Sequence, residues 1–111
     1  MEHQIKEQDG VTIVALEGDV DLQSSPDARQ ILLGCVAGNL PVLVDLSKVG
    51  YIDSSGVASL VETLQASRKA GRNFALASVS EAALKVLKLA RLDKVFTIFD
   101  TLEDGIKGIA G

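Results

Sequence analysis

The sequence predicts an α/β protein built on a mixed, mainly parallel sheet that is layered with about four helices. The first observation is an alternation: short apolar runs typical of strands are separated by segments in which apolar residues recur every three or four positions. The second is the length of 111 residues, which predicts a single domain over residues 1–111. The third is the composition, 47% hydrophobic and 23% charged, which is typical of a folded globular chain.

A β-hairpin is predicted at the start of the chain. Residues 4–8 and 11–16 flank Asp9-Gly10, a dipeptide that favours a two-residue turn between antiparallel strands. The first run is polar and should form an edge strand, whereas the second is apolar and should be the stronger strand. Residues 17–21 follow as an acidic stretch, which we expect to be a turn-rich connection.

Three helices are predicted by a capping residue followed by apolar residues at helical spacing. The first begins at Ser24-Ser25-Pro26, the second follows Asp53 and ends at Gly71, and the third begins at Ser80-Glu81. Glycine is common just past the end of a helix, which supports the boundary of the second. The apolar stripes are Ala28, Ile31, Leu32, Cys35 and Val36 in the first helix, Val57, Leu60, Val61 and Leu64 in the second, and Ala83, Leu84, Leu87 and Ala90 in the third.

Three more strands alternate with these helices, at residues 42–46, 73–77 and 95–99. A final helix over residues 102–109 is weakened by Gly105 and Gly108, because glycine is a poor helix former. Strands separated by helices pair in parallel through right-handed crossovers, so only the opening hairpin should be antiparallel. The loops that follow parallel strands meet at one edge of the sheet, where ligands and partners usually bind.

Two acidic loops are expected to lie together at that edge. Gly18-Asp19-Val20-Asp21 follows the second strand, and Asp53-Ser54-Ser55-Gly56 leads from the third strand into the second helix. The first turn of a helix presents backbone N–H groups without partners and a partial positive charge. Either Ser54 or Ser55 is then a plain N-cap, or a hydroxyl is available there to incoming partners. Two roles are open for Asp53, which either caps the helix or orients the Ser54 hydroxyl.

The charge and hydropathy patterns argue against several classes of function. The net charge is −4, and lysine and arginine are scattered among acidic residues, so we expect no binding to nucleic acid or to an anionic membrane surface. No segment reaches the roughly 18 apolar residues that a membrane span requires. The N-terminus is too polar for a secretory signal, so we expect a cytoplasmic protein.

Catalytic and metal-binding functions find little support in the residues. His3 is the only histidine and lies in the terminal edge segment, so we expect neither a Ser-His-Asp triad nor a histidine-based metal site near Ser54. Residues 53–56 lack the lysine and the glycine spacing of a phosphate-binding loop. Cys35 is the only cysteine, and its apolar surroundings predict a buried small hydrophobe. We therefore expect no enzyme activity, no metal and no cofactor.

Three motifs carry the most functional information: Val-Asp-Leu-Ser-Lys-Val-Gly-Tyr-Ile-Asp-Ser-Ser-Gly at residues 44–56, Gly-Asp-Val-Asp at 18–21, and Leu-Ala-Arg-Leu-Asp-Lys-Val-Phe at 89–96. In these motifs the chain resembles the STAS domain of bacterial anti-sigma factor antagonists, over nearly its whole length. In that family the serine directly after the aspartate, here Ser54, is phosphorylated by a partner anti-sigma factor that is also a serine kinase. A protein phosphatase removes the phosphate.

The resemblance implies a protein-binding switch that regulates transcription. The unphosphorylated protein would bind the anti-sigma factor and so free a sigma factor. We expect the partner-binding residues to be Asp19, Asp21, Asp53, Ser54, Ser55 and Gly56. Two roles are open for Asp19 and Asp21, which are either partner contacts or plain turn residues. The alternative within the family is a non-catalytic adaptor subunit of a lipid-transport ATPase or of a larger signalling assembly, which would use the same surface without phosphorylation.

The chain departs from the family pattern at two positions. Ala58 stands where the family often has a glycine, two residues beyond the glycine of the serine motif. Alanine is small and favours helix, so this change should be mild. Arg91 stands where the family often has a glycine at the end of the third helix. The local turn and the partner surface around Arg91 are therefore open questions at the level of sequence.

Overall fold

The chain forms five strands and four helices within residues 1–110, the part that the computed structural model describes. The strands are β1 (Glu2–Gln8), β2 (Val11–Val20), β3 (Val42–Ile52), β4 (Phe74–Ala77) and β5 (Ile98–Phe99). The helices are α1 (Ser25–Val36), α2 (Ser54–Ala70), α3 (Glu81–Leu89) and α4 (Leu102–Ile109). The predicted order β-β-α-β-α-β-α-β-α is confirmed.

The strands form one mixed sheet with the order β1-β2-β3-β4-β5. Only β1 and β2 are antiparallel, and the other neighbours are parallel, as predicted. The hairpin turns at Asp9 and Gly10, whose φ angles of 54° and 78° suit a turn that needs two left-handed residues. Strand β1 is exposed along its whole length and forms one edge of the sheet.

The sheet separates two apolar clusters. Ile13 and Val14 are neighbours in β2 and therefore point to opposite faces. Val14 lies in the larger cluster with Leu32 of α1, Leu60 of α2 and Leu87 of α3. Ile13 lies in the smaller cluster, which α4 covers with the residues Ile106 and Ile109. Three helices thus pack on one face of the sheet and one helix packs on the other.

The central strands are longer than the sequence predicts. Strand β2 continues to Val20 and β3 continues to Ile52, so the turn-rich connection expected at residues 17–21 and the polar loop expected after residue 46 are mostly strand. The two strands remain paired along this extension, with Glu17 opposite Lys48 and Val20 opposite Ile52. Register shifts interrupt the pairing between residues 15 and 17 and between residues 18 and 19. Backbone pairing to a neighbour outweighs the weak strand propensity of these polar residues.

Other predicted boundaries also change. Strand β5 has two residues in place of the five expected at 95–99, because the backbone N–H groups of Val95 and Phe96 donate to the Leu92 carbonyl in a turn. The apolar stripe of α3 does not include Ala90, which is exposed beyond the end of the helix. Cys35 is half-buried, not fully buried, and this burial raises the pKa of its thiol.

Helix α4 forms despite its two glycines because it lies very close to the sheet. A Cβ atom at Gly105 would lie 2.8 Å from the Leu43 side chain, and one at Gly108 would overlap the Phe99 ring. A larger residue at either position would push the helix away from the smaller apolar cluster. The low helix propensity of the glycines is therefore offset by packing.

Candidate functional site

The two acidic segments lie side by side at the carboxyl ends of β2 and β3, as expected, although Gly18, Asp19 and Val20 belong to β2 itself. The last residues of these strands, Val20 and Ile52, are opposite each other in the sheet. The backbone N–H of Asp53 donates to the Val20 carbonyl over 3.3 Å, which extends the pairing by one residue into the loop. The start of α2 is therefore joined directly to the segment that precedes α1.

Asp53 is the N-cap of α2. Its Oδ1 atom accepts hydrogen bonds from the backbone N–H groups of Ser55 at 2.9 Å and Gly56 at 3.1 Å. Its Oδ2 atom accepts from the backbone N–H of Leu22 at 3.1 Å, across the gap between the two loops. Of the alternatives that the sequence left open, the cap is Asp53 and not Ser54 or Ser55, because the Asp53 carboxylate satisfies these donors. Asp53 holds the loop backbone that carries Ser54.

Ser54 is the first residue of α2, and its side chain is exposed. Ser54 directly follows Asp53 and lies at the positive end of the helix. The two helix N–H groups that would otherwise attract an anion here already bind the Asp53 carboxylate. A hydroxyl in this position is accessible to a large partner, and an anion attached to it would face a carboxylate.

A network of hydrogen bonds around Ser24 gives the connection between β2 and α1 a defined shape. The Asp21 Oδ1 atom accepts hydrogen bonds from the backbone N–H groups of Gln23 and Ser24 at 3.1 and 3.0 Å. The Ser24 hydroxyl lies 3.0 Å from the same carboxylate oxygen and 2.9 Å from the Asp19 carbonyl. The backbone N–H of Ser24, followed by its hydroxyl, holds the pKa of Asp21 below its ordinary value of 3.8. Asp21 therefore stays charged through the neutral range.

Ser55 and Gly56 lie behind the exposed serine. Ser55 is half-buried, and its carbonyl accepts from the Ser59 hydroxyl at 3.1 Å. Gly56 is buried where the helix meets the strand ends: a Cβ atom there would lie 2.7 Å from the Ile52 side chain and closer still to the Val20 carbonyl oxygen. Only glycine fits at this contact. Gly56 sets the distance of α2 from the sheet and has no side chain to offer a partner.

The sequence analysis missed an exposed apolar residue at the site. Leu22 lies between Asp21 and the start of α1, and its side chain is 73% exposed. The signal was present in the sequence, since a leucine in a polar connection belongs to no apolar stripe. Asp53 holds the Leu22 backbone, so this side chain is presented from an ordered loop. We call Asp19, Asp21, Leu22, Asp53 and Ser54 together the rim.

A shallow depression lies beside the rim. It has a volume of about 330 Å³ and is lined by Met1, Asp19, Asp21, Gln23, Ser24 and Asp27. Three of these residues are acidic, so the surface next to the rim is negatively charged. Within residues 1–110, no group of three or more His, Cys, Asp or Glu residues is arranged to hold a metal ion. Over the same residues, no helix is long and apolar enough to cross a membrane.

The fold and the rim define a class: a small α/β domain that exposes a serine and carboxylates at one end of a mixed, mainly parallel sheet. The family model described as the STAS domain matches residues 2–105. The chain belongs to the STAS domain family.

Individual relatives agree with this assignment. The chain is 30% identical over 110 residues to the anti-sigma-F factor antagonist RsfB of Mycobacterium tuberculosis, and the match covers 96% of this chain and 88% of the relative. It is 27% identical to the crystal structure of an anti-sigma factor antagonist from Mycobacterium paratuberculosis, with a TM-score of 0.89 and coverage of 99% and 94%. It also shares its fold with the Bacillus cell fate determinant SpoIIAA in the phosphorylated form, at 17% identity, a TM-score of 0.74 and coverage of 97% and 99%.

Proposed function

We propose that the protein is an anti-sigma factor antagonist whose rim binds an anti-sigma factor while Ser54 is unphosphorylated. The observation that carries the proposal is the exposed Ser54 hydroxyl on a helix start that the Asp53 carboxylate holds in place. A relative with this function in its name matches the chain from end to end at 30% identity. Binding to the anti-sigma factor would release a sigma factor and so regulate transcription.

The docking surface continues from the rim along α2. The exposed residues of this helix include Ser54, Ala58, Glu62, Gln65 and Lys69, which are spaced by three or four positions and so form one stripe. Ala58 is one turn from Ser54, and its small side chain leaves room for a partner to approach the hydroxyl. Leu22 would supply the apolar contact that protein interfaces concentrate at their centre. The rim and this stripe form a continuous surface for a folded partner.

The proposed kinase is the anti-sigma factor itself, and a separate protein phosphatase would reverse the reaction. A kinase bound at this surface would find the Ser54 hydroxyl exposed, with the neighbouring carboxylate already committed to backbone N–H groups. The proposed role of Asp53 is therefore to position the loop that carries the hydroxyl. Because the proposed kinase uses ATP, we place the phosphorylation of Ser54 and its reversal in the cytoplasm.

Phosphorylation would switch the surface off through local charge. A phosphate on Ser54 adds roughly −1.5 to −2 charge at neutral pH, next to Asp53 and close to the carboxylates of Asp19 and Asp21. It would have to share or displace the Asp53 carboxylate to reach the helix N–H groups. A charge buried against a partner without a counter-charge costs more than about 2 kcal/mol of binding free energy. The complex would dissociate while the domain stays folded.

The test is to incubate the protein with ATP and its candidate anti-sigma kinase and to locate added phosphate by mass spectrometry. We expect one phosphate on Ser54, none in the Ser54→Ala variant, and loss of the complex after modification. Ser55→Ala is the matched control, because it removes the neighbouring hydroxyl and leaves the hydrogen bond from its backbone to Asp53. If the partner binds and Ser54 stays unmodified, the phosphorylation switch is wrong, and an adaptor role within a larger assembly replaces it.

A further inference from the structure

The outer side of α3 is a surface that the rim does not use. This helix packs Ala83 and Leu87 into the core. Its opposite side forms a shallow depression of about 520 Å³, lined by Glu81, Leu84, Lys85, Lys88 and Leu89. The Leu89 side chain is 78% exposed, more than any other large apolar residue of the described chain. A helix that only covered the core would not need a leucine on this side.

Positive charge is concentrated in α3 and the turn that follows it, although the protein as a whole is acidic. Residues 81–94 contain Lys85, Lys88, Arg91 and Lys94 against Glu81 and Asp93, a net charge of +2 in a chain whose total is −4. The ion pairs found within residues 1–110 involve Arg29, Lys48 and Lys107 and none of these four cations. These four cations lie within ten consecutive residues, are exposed and take part in none of the ion pairs of the described residues.

Arg91, one of these cations, has an unfavourable backbone conformation. Its φ angle is +60°, the left-handed region that favours glycine. Its N–H donates to the Lys88 carbonyl and the N–H of Leu92 donates to the Leu87 carbonyl, at 3.0 and 2.8 Å. Helix α2 ends with the same pair of bonds, and there the left-handed residue is Gly71, with φ +67°. The fold would accept glycine at position 91, so a separate reason is needed for arginine.

The far end of this surface, around Leu89 and Arg91, lies towards the end of the sheet opposite Ser54. Helix α3 starts near the carboxyl ends of the strands and runs back along the sheet, as a crossover helix must. The chain just beyond it returns to the amino end of β4, where the Phe96 ring lies 6.5 Å from that of Phe74, the first residue of that strand. A partner at the rim would leave this end of the molecule free.

We propose that Leu84, Lys85, Lys88, Leu89 and Arg91, the α3 face, bind an acidic, leucine-containing segment of a protein partner. The cations match acidic side chains, and the two leucines on either side of the lysines match apolar ones. An anionic membrane would meet the same cations, but the Glu81 carboxylate lines the same surface and would be repelled by an anionic lipid layer. Because the α3 face shares no residue with the rim, its binding does not depend on the phosphorylation state of Ser54.

The test uses the full chain and a fluorescent synthetic peptide with a repeated Leu-Glu-Glu-Leu pattern. We expect saturable binding, with NMR shift changes centred on residues 84–91. A peptide with glutamine in place of each glutamate should bind about tenfold more weakly, as should the Lys88→Glu variant. Lys69→Glu makes the same charge change on α2 and should leave the affinity unchanged, as should Ser54→Asp at the rim.

Arg91→Gly separates binding from folding. It should weaken the peptide several-fold while the protein becomes harder to unfold, so a loss of binding would not reflect a damaged fold. Equal weakening by Lys69→Glu and Lys88→Glu would overturn the proposal, because it would indicate non-specific attraction. Absence of saturable binding would also overturn it. The proposal would also be overturned if Lys88→Glu left peptide binding intact and instead abolished either sedimentation with phosphatidylglycerol vesicles or self-association.

Discussion

Asp53 illustrates at the residue scale how one carboxylate positions a site without touching the hydroxyl next to it. One of its oxygens caps α2 and the other holds the Leu22 backbone of the neighbouring loop. Gly56 acts in the opposite way, through the absence of a side chain at the contact between α2 and the strand ends. The shape of the rim thus depends on two residues that contribute little contact area of their own.

Asp53→Ala should lower the free energy of unfolding by about 1–2 kcal/mol. It removes the N-cap of a long helix and leaves the Leu22 N–H without its acceptor. Asp53→Asn keeps one capping oxygen and should cost less, because asparagine caps helices almost as well as aspartate. Urea denaturation of the three proteins measures the difference. An alanine variant as stable as the wild type would contradict the capping role.

Gly56→Ala should destabilise the fold by about 1–3 kcal/mol, because the added methyl group overlaps the Val20 carbonyl and the Ile52 side chain. Gly34→Ala is the matched control: Gly34 lies in α1, and a Cβ atom there meets nothing within 4 Å. Alanine is the better helix former, so the control should gain about 0.5–1 kcal/mol. Thermal unfolding of both variants should therefore show shifts of opposite sign.

Among the helices, the start of α2 lies at the rim and the end of α3 lies at the α3 face, so the helix ends position both proposed binding surfaces. Helix α2 begins at the rim and carries its exposed stripe away from Ser54. Helices α2 and α3 end in the same hydrogen-bonding pattern, with glycine in one and arginine in the other. The two ends form a comparison within one molecule, because the backbone is alike and only the residue type differs.

Arg91→Gly should raise the free energy of unfolding by about 1 kcal/mol, since glycine adopts the left-handed conformation without the steric cost that a Cβ atom imposes. The reverse change at the other helix, Gly71→Arg, should lower it by a similar amount. Chemical denaturation measures both. If Arg91→Gly proved destabilising, the arginine side chain would have to make a stabilising contact that offsets its backbone conformation.

In the molecule as a whole, the rim lies outside both apolar clusters. Ser54 is exposed and belongs to neither apolar cluster. The larger cluster joins three helices to one face of the sheet, and the smaller joins α4 to the other. A change of charge at the rim therefore acts on what binds there and leaves the packing of the domain in place.

Ser54→Asp should mimic this change of charge without unfolding the protein. Its free energy of unfolding should stay within about 0.5 kcal/mol of the wild type, as for most exposed substitutions. Its affinity for the anti-sigma factor should fall about 30-fold, which corresponds to ~2 kcal/mol. Calorimetry of folding and of binding would test the two parts separately. A large loss of stability would contradict a local switch.

Much of the site was predictable because its signals are local. The apolar run of β3, the capping residues and the serine motif stand together in 15 consecutive residues at 42–56, roughly the span of one strand and one helical turn. The identity of the cap was open between Asp53 and the two serines, because aspartate and serine side chains accept the same hydrogen bonds. The place of Leu22 was not predictable, because its partner Asp53 is 31 positions away.

Local sequence is enough to set the order of the elements, the turn at Asp9-Gly10 and the end of α2 at Gly71, since each depends on the backbone preferences of a few adjacent residues. The length of β2 and β3 and the position of Leu22 at the rim were settled by the folded structure. Those outcomes depend on hydrogen bonds and contacts between segments that are distant in the chain. Such partners become neighbours only after the sheet has formed.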